Sequence, residues 1–159
     1  MQQRKTFMLI NFVPFYLLLI HCALAQIVGK YQHEKNENLD AFYEAVGIPG
    51  LSRKILTSTK PQLEISVDKS QQWNITISSF LRLTSKFKLG EEYEEDIPGG
   101  IVAKSTTIIE DDKLKTTSIS PDIGKILRTY ECNNTLCIIT MKHEQSGKEA
   151  KRYFKRIAS

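Results

Sequence analysis

Groups able to do covalent chemistry are scarce in this chain. Its 159 residues include 3 histidines, 3 cysteines and 1 tryptophan. His33 and His143, the histidines beyond residue 25, lie at opposite ends of the sequence, and neither belongs to a readable nucleophile–base motif. No G-x-S-x-G elbow is present, which argues against a hydrolase. Cys132, Cys137 and these histidines lack the close ligand pairs of a zinc site, so neither a metal nor a cofactor is expected. Charge of one sign is also lacking. Lys and Arg number 22 against 18 Asp and Glu, and two of the basic residues, Arg4 and Lys5, belong to the first segment. No basic run interleaved with aromatics occurs, which removes nucleic acid as a partner.

The first segment reads as a secretory signal peptide over residues 1–25. Arg4 and Lys5 open it, Phe12 to Ile20 form a short apolar core, and Ala23-Leu24-Ala25 has the small-x-small form of a cleavage site. The apolar run is shorter than the about 20 residues of a membrane span. The remainder, 26–159, suits one domain with one core, secreted and extracellular. In that oxidising compartment Cys132 and Cys137, in ECNNTLC, could bridge across a tight hairpin or stay as thiols on neighbouring strands; the compartment favours the bridge. Asn74-Ile75-Thr76 and Asn133-Asn134-Thr135 are both acceptor sequons.

Periodicity supplies the architecture. A short strand runs into an amphipathic helix with Asn38 as N-cap, Asp40 in the first turn and Gly47 as the stop. Leu39, Phe42 and Val46 make its apolar stripe. After Pro49-Gly50 a second short helix fits Leu51 to Ser58, with Leu51 and Ile55 on one side. Beyond Pro61 the period becomes two: Leu63, Ile65 and Val67 alternate with polar residues, as do Trp73, Ile75 and Ile77. Turn signals recur at Asp68-Lys69-Ser70, Leu89-Gly90, Pro98-Gly99-Gly100, Asp111-Asp112, Ser120-Pro121-Asp122, Asn133-Asn134 and Ser146-Gly147. About ten strands follow, and a meander of that size removes its exposed edges by closing into a barrel. The fold expected is all-β: a ten-stranded antiparallel up-and-down barrel of the clam type, capped by a helix–turn–helix after the first strand.

Several segments resemble one family. GKYQHEKNENLDAFYEAVG (Gly29 to Gly47) is similar to the entry signature of intracellular-type fatty-acid-binding proteins, with His33 in place of an aliphatic and Leu39 in place of an aromatic. GIPGLSRKI resembles the second-helix segment, FKLGEEYEE the F-[KE]-L-G-E-E-[FY]-[DE] stretch, and GKEAKRYFKR the terminal strand. KSTTIIEDDKL resembles a strand–turn–strand motif, with Asp where Gly is usual. A secreted member looks most like the nematode branch of this calycin family.

The resemblance implies a non-enzymatic, monomeric carrier of long-chain fatty acids in an internal cavity. It places Arg152 and Phe154 inward on the terminal strand, Arg152 meeting the ligand carboxylate. It offers Arg128 as a second head-group residue, or Thr129 if the register is counted without a gap. Phe154, Phe80 and Tyr43 would lie at the cavity or its opening. Leu81, Leu83, Arg53 and Lys54 would ring one entrance, either as a transient contact for a membrane or lipid-exchanging partner or as a local repacking. The rival readings are a retinoid carrier, a lipocalin, and an interaction module that displays loops on a barrel. Gly29-Lys30-Tyr31 faintly echoes the lipocalin G-x-W, but the helix pair after the first strand argues against it.

Overall fold

Alternation sets the architecture, and the chain repeats it ten times. The structure is a computed structural model and describes residues 26–158; the expected signal peptide lies outside the described residues. Strand β1 (Gly29–Glu37) is followed by helices α1 (Leu39–Ala45) and α2 (Gly50–Ser58). Nine more strands come after them: β2 (Gln62–Val67), β3 (Trp73–Ser78), β4 (Arg82–Phe87), β5 (Glu92–Ile97), β6 (Ile101–Glu110), β7 (Lys113–Ser120), β8 (Gly124–Cys132), β9 (Leu136–His143) and β10 (Glu149–Ala158). All pairings are antiparallel, in the order β4-β3-β2-β1-β10-β9-β8-β7-β6-β5. The expected all-β barrel with a helical cap is the fold observed. Among the described residues no ladder joins β4 to β5, so the wall has one seam.

Each sequence turn signal falls at a junction between strands. Inward positions follow the period of two: Leu63 and Ile65, Trp73 and Ile75, Ile139 and Met141 are all buried. On β6 and β7 the same phase carries hydroxyls instead, and Ser105, Thr107, Thr116, Ser118 and Ser120 are buried. The interior is therefore apolar on one side and polar on the other.

One local expectation needs correction. Asn38 stands at the N-cap of α1, but its side chain makes no capping bond; it takes a left-handed φ of 54°, which Asn tolerates, and its carbonyl accepts the first helical bond from Phe42. Phe80, expected at the cavity or its opening, lies outside the strands. Phe80 and Leu81 lie in the β3–β4 connection, which Ser79 N closes onto Leu81 O at 2.8 Å. Both described histidines lie on strands and are buried, His33 on β1 and His143 on β9, where His143 bonds Ser146 Oγ (2.8 Å) and the Ile123 carbonyl (2.7 Å).

The barrel end away from the helices is closed by side chains. Arg156 stacks over Tyr31 with 4.7 Å to the ring centre, donates to Val28 O (2.9 Å) and Asn133 O (3.0 Å), and also reaches Gln26 O. Cys132 and Cys137 face each other in the β8–β9 ladder and are joined as a disulfide at the same end.

One turn is built from an unfavourable residue pair. Asp111 and Asp112 both have positive φ, 52° and 58°, as a tight hairpin of this hand requires. Glycine meets the second position with less strain, so Asp112→Gly should stabilise the fold by about 0.5 kcal/mol. The check is a higher urea midpoint with an unchanged slope.

Candidate functional site

Because the inner faces of ten strands are too far apart to fill the space between them, a cavity of about 460 Å³ remains under the helices. Ile75 and Ile77 of β3, Leu83 of β4, Ile126 of β8, and Ile139 and Met141 of β9 form its apolar walls, and Phe42 and Tyr43 of α1 cover it. It reaches the surface between α2, the β3–β4 connection and the Pro98–Gly100 turn. Three apolar side chains at this mouth are exposed: Phe80 by 61 %, Leu81 by 57 % and Ile55 by 44 %.

Two charged arrangements face the interior. The first centres on Glu95, the inward residue between Tyr93 and Ile97 on β5. Its Oε1 accepts from Ser105 Oγ (2.6 Å) and Ser118 Oγ (2.8 Å) and is paired with Arg128 Nη2, while Oε2 accepts from Ser85 Oγ at 2.9 Å. Arg128 Nη2 also donates to Ser118 Oγ at 2.8 Å. One carboxylate thus connects β4, β5, β6, β7 and β8, and the Ser85 bond crosses the seam. Stacked Phe87 and Tyr93, with ring centres 4.9 Å apart, cross it as well. Burial would raise the Glu95 pKa, but Arg128 and the three serine hydroxyls outweigh it and hold the carboxyl below its ordinary value. Beside this network Tyr93 donates or accepts at Thr107 Oγ1 (2.8 Å), and burial with the Glu95 charge pushes its phenol up to about 12.

The second arrangement is Arg152 on β10. It is 6 % exposed, lines the cavity, and has no carboxylate within ion-pair reach among the described residues. Its Nε donates to Asn36 Oδ1 at 3.3 Å, and its guanidinium lies 5.5 Å from the centre of Phe154. Burial lowers its pKa, and nearby Tyr43 and Tyr130 offset part of that. Arginine stays protonated regardless. Burial also raises the phenols of Tyr43 and Tyr130, so both are neutral hydrogen-bond donors at physiological pH.

The residues singled out by sequence are distributed as follows. Arg152, Arg128 and Tyr43 converge on the cavity; Arg128 shares the inward face of β8 with Ile126 and Tyr130, and Thr129 does not. Phe154 points inward but lies beneath the cavity, edge-on to His33 at 5.5 Å. Phe80 and Leu81 border the mouth, whereas Leu83 lines the interior. Arg53 does not ring the entrance: it braces the helices through Asp40 (3.2 Å), Glu44 (3.3 Å) and the Ile48 carbonyl (3.2 Å). Lys54 is exposed on α2. Sequence reasoning missed Glu95, Tyr130 and Asn36. The alternation of Tyr93, Glu95 and Ile97 was available as a signal for the first, but a carboxylate in a stretch of acidic residues reads as solvated.

A nearly closed antiparallel barrel with an amphiphilic interior, a helical lid and a buried cation defines a class: carriers that enclose one small apolar molecule with a polar end. No family model matches the chain. Among curated relatives, a fatty-acid-binding protein of Tyrophagus putrescentiae is 33 % identical over 135 residues, covering 84 % of this chain and 99 % of that protein. One from Lepidoglyphus destructor is 33 % identical over 109 residues, covering 68 % of this chain and 83 % of that protein. In fold, the chain matches the Schistosoma mansoni fatty-acid-binding protein solved with arachidonic acid, with a TM-score of 0.78 at 23 % identity over 85 % of this chain and 98 % of that one. The chain belongs to the fatty-acid-binding protein family, whose members are carriers and not enzymes.

Removing one member of a buried ion pair strands the other. Glu95→Gln should therefore destabilise the protein by about 3–5 kcal/mol at neutral pH, read by urea unfolding. Because the folded pKa of Glu95 lies below its ordinary 4.5, its contribution is complete above that pH and is lost as pH falls through the folded value. The variant should lack this component of acid destabilisation.

Proposed function

We propose that the protein is a secreted, monomeric carrier that takes long-chain fatty acids into the cavity, tail against the apolar walls and carboxylate on Arg152. The observation that carries this is the buried Arg152, which among the described residues has no carboxylate partner and borders the cavity beside its apolar walls. A cation taken out of water is costly unless met by a counter-charge, and a ligand carboxylate would supply one in a charge-assisted, bidentate pair. Arg128 is already met by Glu95, so we assign it to the polar wall and the anchor to Arg152. The signal peptide expected over residues 1–25 and the Cys132–Cys137 bridge support the extracellular setting.

Two energy contributions divide the work. Each buried methylene contributes about 0.8 kcal/mol, so a long acyl chain gains on the order of 10 kcal/mol before its lost freedom is subtracted. Affinity then resides mainly in the tail, and orientation and the preference for an acid in Arg152. Displacement of an environment-sensitive fatty-acid probe from delipidated protein tests this. Arg152→Ala should keep the fold and weaken oleate about tenfold or more, with methyl oleate much less affected. Equal loss for both would remove the head-group role, and retinol outcompeting oleate would redirect the assignment to a retinoid carrier.

Phe80, Leu81, Ile55 and Leu51, the last 76 % exposed, make an apolar rim beside Lys54 on the mouth side. We assign this rim to transient contact with a membrane during lipid exchange. Phe80→Ser with Leu81→Ser should slow transfer of a fluorescent fatty acid to vesicles and abolish its dependence on vesicle concentration. A native transfer rate indifferent to vesicle composition would count against the contact.

A further inference from the structure

A bulge in β1 supplies the starting point. The β1–β10 ladder slips between His33 and Lys35, so the phase of the strand changes and Asn36, rather than Lys35, stands opposite Arg152 and turns inward. Its amide is held on three sides. Oδ1 accepts from Arg152 Nε at 3.3 Å and lies 2.8 Å from His33 Nε2, while Nδ2 donates to the carbonyl of Thr57 near the end of α2 at 3.4 Å.

These partners determine the hydrogen positions. Arg152 Nε–H can only donate and the Thr57 carbonyl can only accept, so the orientation of the Asn36 amide follows, and His33 Nε2 must carry its ring hydrogen. His33 Nδ1 is then bare, buried and without a hydrogen bond. Burial lowers the His33 pKa and the charges of Arg152 and Lys60 add to the lowering, while the Asn36 bond and the Lys35 backbone oppose it without reversing it. The ring is therefore a neutral, fixed support for Asn36 at physiological pH. With Nε occupied, the two terminal nitrogens of Arg152 are the edge left for a ligand, and this is the fork that matches a carboxylate.

We propose that Asn36 is a positioning residue: by engaging Arg152 Nε it aims the terminal fork into the cavity and sets the preference for a free acid over a neutral lipid. This rests on the reading of Arg152 as the carboxylate anchor. It assigns a function to the β1 bulge, because without the slip a lysine would occupy the place opposite Arg152.

The experiment measures oleate and methyl oleate affinities by probe displacement in the native chain, Asn36→Ala, Asn36→Asp, Arg152→Ala and the Asn36→Ala/Arg152→Ala double variant. Asn36→Ala should weaken oleate about tenfold, the size of one charge-assisted hydrogen bond, and leave methyl oleate within about twofold. The Nε–H resonance of Arg152 in a 15N spectrum should move in the same variant. Asn36→Asp keeps the shape and the bonds accepted at Oδ1, gives up the bond that Nδ2 donates to the Thr57 carbonyl, and places a competing carboxylate on Arg152, so oleate should lose at least as much with the ester again spared; this variant decides the matter if the alanine form unfolds. In the Arg152→Ala background Asn36→Ala should add no further acid-selective loss. Equal losses for acid and ester, or native acid preference in Asn36→Asp, would overturn the assignment and leave Asn36 a brace between strand and helix. If Arg152→Ala itself spares the acid preference, the anchor reading fails first and the positioning role falls with it.

Discussion

The Glu95–Arg128 pair sits beside the one place where the barrel wall is not held by backbone hydrogen bonds. Between β4 and β5 the sheet lacks a ladder, and edge groups left open would weaken the wall. Ser85 from β4 and three partners from β6, β7 and β8 converge on a single carboxylate of β5. A buried ion pair by itself returns little, because desolvating two charges offsets their attraction. Here the serine hydroxyls fill the remaining acceptor capacity of Glu95, and the network ties together the half of the barrel that includes the seam. Its stability is conditional on every member being satisfied.

The same network determines what the cavity offers a ligand. Glu95 neutralises Arg128, so of the two arginines in the cavity lining only Arg152 lacks a carboxylate partner among the described residues. Polar and apolar functions are thereby separated in space: hydroxyls and the ion pair along β5 to β8, aliphatic side chains on β3 and β9, and one cation on β10. An interior of this kind suits a molecule with one charged end and a flexible apolar remainder. The helices cover the cavity on one side of its mouth, and Arg53 holds them to each other through Asp40 and Glu44, a surface pairing of modest energy that nevertheless uses up a basic group expected at the entrance.

Much of the fold was legible along the chain. Period-two alternation and the turn residues between runs gave ten strands, since a half-buried strand places apolar groups on one face and turns favour Gly, Pro, Asn, Asp or Ser. The β3–β4 connection escaped because Ser79-Phe80-Leu81 offers only a serine, the weakest of those signals; an apolar pair in a turn is explained by its place at the cavity mouth, which is a tertiary fact. Phe154 was read correctly as inward, but whether an inward aromatic meets the cavity or the packed floor depends on what stands opposite, here His33. The inward phase of β8 at Arg128 required the β7 and β9 registers on both sides.

Local sequence thus determined the elements, their order, the barrel class and the helical cap, because periodicity and turn chemistry act over a few neighbouring residues. Only the tertiary structure decided which charges meet. Glu95 and Arg128 are 33 positions apart, and Asn36 and Arg152 are 116 apart. No local pattern encodes such pairings. They arise from strand register, the bulge in β1 and the curvature that brings β5 and β8 to face each other, and it is these long-range contacts that leave one arginine satisfied and the other available.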